Sequence, residues 1–143
     1  MRRPALTLAA TIAIVLAALV SFAQQTTAKP APTVKQIMLT KIIPFSDAVF
    51  GAQSEPPTTA AQWTALRGPA LGLVESGRLL MVGPRSKDKV WMKMAQQEVD
   101  AAQAVMKAAA GKDAEGLSLA ADALYETCKT CHDRYMSPKP KGP

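Results

Sequence analysis

Apolar residues return at three- and four-residue steps in four separate stretches of this chain, and each stretch is bracketed by capping or breaking residues. That period calls for helices with one buried face, and no alternating run is left from which to build a sheet. Thr33-Val-Lys-Gln36 has the form of a capping box and opens helix 1, in which Val34, Met38, Ile42, Phe45 and Val49 recur to about Phe50. Pro44 lies inside this pattern and predicts a kink. Gly51 to Thr58, with Pro56 and Pro57, reads as a break. Thr59-Ala-Ala-Gln62 repeats the capping box and opens helix 2, to about Val82, with Trp63, Leu66, Ala70, Leu73, Leu80 and Met81 as its apolar face. Gly68-Pro69 predicts a second kink or an irregular turn within it.

Gly83-Pro84 closes helix 2, and Ser86 is the expected cap of helix 3, which Val90, Trp91, Met94, Val99, Ala102, Val105 and Met106 carry to Ala110 with Gly111 as its stop. Asp113 can cap helix 4, where Leu117, Ala121, Leu124, Cys128, Cys131, His132 and Tyr135 share one side. Four amphipathic helices with short connections predict an all-α fold, an antiparallel four-helix bundle.

The length of 143 residues fits one domain. Met1-Arg-Arg-Pro, the apolar run from Ala5 to Val20 and the small-x-small sequence Ser21-Phe22-Ala23 read as a signal peptide over 1–23. A polar, Pro-bearing lead follows over 24–32, the bundle over 33–136 and an unstructured tail over 137–143. Export to a bacterial periplasm is therefore expected, without stable membrane insertion once the signal is cleaved; an uncleaved anchor is the competing reading. Loss of Arg2 and Arg3 would lower the net charge from +6 to about +4, and the remaining cations are scattered among acids, unlike the basic stripe of a nucleic-acid binder.

Export favours disulfides, yet the chain has only 2 cysteines, three residues apart. Cys128-Lys-Thr-Cys131-His132 is the Cys-x-x-Cys-His pattern of c-type haem attachment. Cysteines at this spacing stack on one helix face, where both can bond one porphyrin edge, and the next residue can offer an imidazole to the iron. A structural zinc would want about four ligands where three are present, and a redox dithiol would want a strand before it rather than a helical pattern. One covalently attached haem c is the expected cofactor, bound at the C-terminal helix. His132 is the chain's 1 histidine, so any sixth protein ligand is another residue type.

With this motif placed late in a helical chain, the sequence resembles the class II cytochromes c, the cytochrome c′ group, from about Thr33 to Met136. The late motif, Tyr135 after it and an apolar helix 1 carry the resemblance. It implies a haem pocket formed by Val34, Ile42, Phe45, Leu124 and Tyr135, with dimerisation through helices 1 and 2. It also implies that a helix 1 side chain decides function: methionine there gives a six-coordinate electron carrier, and a non-ligating residue leaves the iron open to gas. Met38 occupies the relevant turns. Two family features are missing, since Lys35 and Met136 stand where arginine in helix 1 and a basic residue after the aromatic one are common.

Met38 is therefore the expected sixth ligand, ahead of Met81, Met92 and Met94, while Met106, Trp63 and Trp91 read as core. Lys35 reads as a solvated lysine. The expected function is one-electron transfer with a redox partner protein. The alternative is a five-coordinate module binding nitric oxide or carbon monoxide, in a pocket that Ile37, Leu39 and Phe45 could line. Peroxidase-like turnover would want a distal acid–base group, and no second histidine exists, so no enzymatic activity is expected.

Overall fold

A computed structural model describes residues 30–136. The expected signal peptide, most of the lead and the tail lie outside the described residues. Chain contacts divide the molecule after Ala31, and the bundle belongs to the unit that starts at Pro32.

The first helical run, α1, joins an α-helix Val34–Ile37, a π-helical stretch Met38–Ile42 and an α-helix Ile43–Ser54. Its capping box forms as expected: Thr33 Oγ1 accepts from the Gln36 N–H at 3.2 Å and Gln36 Oε1 accepts from the Thr33 N–H at 2.8 Å. The π stretch is the response to Pro44. Proline has no N–H to give the Thr40 carbonyl and its ring crowds that carbonyl, so the preceding turn widens and the Ile43 N–H reaches back five residues to Met38. The expected kink is thus realised as a change of helical register. The expected end at Phe50 is corrected to Ser54, because Gly51 does not break the helix. Val49 is fully buried, Phe50 and Ala52 pack on the core, and Ser54 Oγ donates back to the Phe50 carbonyl, so the last turn is held by its neighbours.

Helix α2 (Ala60–Leu80) opens on the second capping box and runs unbroken past Pro69, where a kink or irregular turn was expected. The carbonyl that loses its partner is that of Ala65, and Ala65 and Pro69 border a surface hollow between α1 and α2. Gly72 is required by close approach, since a Cβ there would enter the Phe45 ring.

Helix α3 (Lys89–Gly111) is capped by Asp88, not by Ser86. Gly83–Arg85 forms a 3₁₀ turn, and the extended chain from Ser86 to Asp88 brings Asp88 Oδ1 within 2.7 Å of the Trp91 N–H. The stop is also one residue later than expected. Gly111 stays helical and Lys112 takes the left-handed conformation at φ 54°, with the Asp113 N–H bonding the Ala108 carbonyl and the Lys112 N–H that of Ala109. Asp113 then caps α4 (Ala114–Tyr135), accepting from the Gly116 N–H at 2.9 Å.

The four helices form a bundle with no strand among the described residues. α2 packs most extensively on α3 and α3 on α4, with α1 closing on α2. Val49, Leu73, Val105, Leu117 and Leu124 lie fully buried along the axis. The seam between α1 and α4 is the sparse one, and most of its contacts fall on the second half of α1. The first half, from Val34 to Ile42, stands off from α4, and that is where the bundle has room for a ligand.

Candidate cofactor site

One end of the α1–α4 seam is tied. Gln53 Nε2 donates to Asp122 Oδ1 at 2.7 Å and to the Ser118 carbonyl at 3.3 Å, and Phe50 meets Tyr125 edge-on with centroids 6.3 Å apart. Beyond this clasp the helices part around two adjoining cavities, an inner one of about 220 Å³ and an outer one of about 580 Å³. Met38, Ile43, Trp91, Cys131 and His132 wall both of them. The inner cavity alone falls below the ~300–1,000 Å³ usual for cofactor sites, so a large ligand would occupy the two together.

The expected residues divide sharply in this setting. Met38 from α1 and Cys131 and His132 from α4 reach both cavities, with Cys128 at the inner one. Ile42 lines the inner cavity and Val34 and Tyr135 the outer one. Phe45 and Leu124 line neither cavity. Phe45 turns to α2, where it packs over Gly72, and Leu124 is wholly buried in the core. Both follow the helical stripe, but a stripe wide enough to face two neighbours cannot say which residue meets which. Ile37 is likewise core, whereas Leu39 lies on the outer wall. Of the other methionines, Met94 lines the inner cavity, Met92 is exposed and accepts from Ser86 Oγ, and Met106 packs on the core.

Trp91, Lys87 and Glu98, which the sequence did not place at the site, also line the cavities. Trp91 is buried, donates from Nε1 to the Leu80 carbonyl at 2.8 Å, and still walls both cavities. Lys87 sits over the Trp91 and Tyr135 rings at 4.5 and 4.8 Å, capping the outer cavity with a cation. Tyr135 is fixed in turn by its hydroxyl, which donates to Asp88 Oδ1 at 2.8 Å, and by an edge-on contact with Trp91 at 5.0 Å. Glu98 is an acid 7% exposed on the inner wall. Its signal was legible: Glu98 falls three and four residues from Ala95 and Ala102 on the apolar face of α3.

Charges follow from this burial. Desolvation, with the Glu98 carboxylate adding to it, pushes the Cys128 thiol up to about 11 and raises Cys131, where Lys87 opposes the shift. Burial likewise pushes the Glu98 carboxyl up to about 7. The N–H of Trp91 and the Tyr135 hydroxyl hold Asp88 below its ordinary value.

Both thiols are free and half-buried, side by side on α4 with the imidazole of His132 beside them, and a thioether opposes them from α1. Two sulfur nucleophiles, an imidazole and a thioether around an apolar slot are a donor set that suits a covalently held, axially ligated porphyrin. The profile of the family described as Cytochrome C′ matches residues 74–136. Residues 74–136 belong to the cytochrome c′ family. The cytochrome therefore carries a covalently attached haem c with its iron, and the slot, its donors and its apolar walls fit that group. The matched stretch takes in Trp91, Glu98 and the whole of the Cys-x-x-Cys-His motif, while α1 and Met38 precede it. No curated protein gives a significant match. Among the described residues no helix is long and apolar enough to cross a membrane.

Proposed function

We propose that this cytochrome is an exported, periplasmic one-electron carrier in which Cys128 and Cys131 would hold the haem by thioether bonds and His132 and Met38 would ligate its iron. The observation that carries this reading is the placement of Met38 and His132, on different helices, as walls of the same two cavities. The haem supplies an iron couple that gains and loses one electron, and a thioether opposite an imidazole favours the reduced state. The protein's part is to keep the donors fixed. Cys128, Cys131 and His132 ride on one rigid helix, and Trp91 and Tyr135 are locked by their own hydrogen bonds against the outer wall.

Exchange with a partner needs an approach to the cofactor edge. Leu39, Ile43 and Met136 are exposed at the outer cavity, and Lys35 and Lys87 line it with them. An apolar collar with two cations suits brief docking of a redox protein with an acidic rim.

A second reading, storage or sensing of a diatomic gas, draws on Ile42 and Ile43, which would give an apolar lining beside an iron that Met38 had vacated. Carbon monoxide added to the reduced protein separates the two. A carrier binds it slowly or weakly because Met38 must leave first, and Met38→Ala binds it readily. Ready binding by the wild type would overturn the carrier reading.

A further inference from the structure

The electron carrier as proposed has no task for Glu98, yet this is an expensive residue to keep. It sits on α3 between Ala95 and Ala102, 7% exposed, with its side chain on the wall of the inner cavity. Among the described residues, its Oε1 is the buried side-chain oxygen that has no hydrogen-bond partner. An isolated carboxylate in such a place is strongly disfavoured unless it is neutralised or meets a positive charge.

None of the packed helices offers that charge. From α2, Glu98 meets Gly77, which has no side chain. From α4 it faces the Cys128 and Cys131 sulfurs, which become neutral thioethers once haem is attached, and Tyr125 and His132 line the same cavity. From α1 the cavity receives Met38, Ile42, Ile43 and Ser46, none of them charged. The positive charge available to Glu98 is therefore that of the cofactor, and that charge changes by one unit in each redox cycle. Coulomb interactions in a dry cavity are several times stronger than in water, so the two events are coupled.

We propose that Glu98 is the proton acceptor linked to electron transfer in this cytochrome. When the iron takes one electron from a donor protein, the Glu98 carboxylate takes one proton from solvent, and both leave on reoxidation, so the net charge of the cavity is unchanged over the cycle. This rests on the iron cycling between two oxidation states, as in the carrier reading, and is independent of whether Met38 is bound.

The test is an equilibrium redox titration of the full haem-bearing chain from about pH 5 to 9, with wild type and Glu98→Gln side by side. The wild-type midpoint should fall with rising pH by up to 59 mV per unit, the value of a tenfold change for one electron, and the Glu98→Gln midpoint should stay level over the same interval. Parallel curves for the two proteins, or a level wild-type curve, would overturn the proposal. Should the variant fail to accumulate, redox-difference infrared spectra of the wild type decide alone: a protonated-carboxyl band must appear on reduction, and its absence would overturn the assignment. A level potential in a low-spin protein leaves the carrier reading standing. A high-spin spectrum removes Met38 and leaves the Glu98 result to be read as it falls.

Discussion

At the scale of single residues, the proposed haem-holding role of Cys128, Cys131 and His132 could be read from sequence because such chemistry depends on local spacing, and a helix converts spacing into stacking without help from the rest of the fold. Replacing both cysteines by alanine should leave no pigment on the protein after denaturation and acid extraction; pigment that stays would mean the attachment lies elsewhere. Glu98 was written on the apolar face of α3, but one acid in a helical stripe looks like a solvated side chain until its surroundings are known. Its raised pKa also has a stability sign. The folded state holds the proton more tightly than the unfolded chain, so the contribution is full below the unfolded value of 4.5 and is lost as pH rises through about 7, a decline of about 3 kcal/mol. Denaturant unfolding from about pH 4.5 to 8 should show that decline in the wild type, and Glu98→Gln should remove most of it.

At the scale of elements, both capping boxes and the Asp113 cap formed where the sequence marked them, since each needs only residues three apart. The misplaced boundaries have tertiary causes. Ser86 lost the cap of α3 to Asp88 because the 3₁₀ turn at Gly83–Arg85 holds the chain extended past it, and α1 outran Gly51 because Phe50 and Gln53 are anchored to α4. Pro44 was legible as a disturbance but not as a π stretch. Each residue turns an α-helix by ~100°, so the widened turn re-aims everything before it, Met38 included. Pro44→Ala should let α1 return to regular register and turn Met38 from the cavity, seen as growth of a high-spin ferric species; an unchanged spectrum would show that packing rather than proline sets the register. Lys112→Gly, by contrast, should stabilise the protein by about 1 kcal/mol in denaturant unfolding, since a side chain is held there at φ 54°.

At the scale of the whole molecule, the bundle could be read from four apolar stripes, because helices with one buried face and short connections have few other ways to pack. What the stripes could not show is that the bundle closes unevenly. Gln53 and the Phe50–Tyr125 pair clasp α1 to α4 at one end, and the first half of α1 stands away at the other. For the same reason the resemblance could place Phe45 and Leu124 in the pocket although one covers α2 and the other fills the core. In the proposed carrier, Met38 on that open half of α1, lining the same two cavities as His132, joins fold to function. The most direct measurement is the optical and electron paramagnetic resonance spectrum of the ferric protein, wild type against Met38→Ala. A low-spin, six-coordinate wild type that becomes high-spin in the variant is the expected result, and a wild type already high-spin and five-coordinate would contradict it.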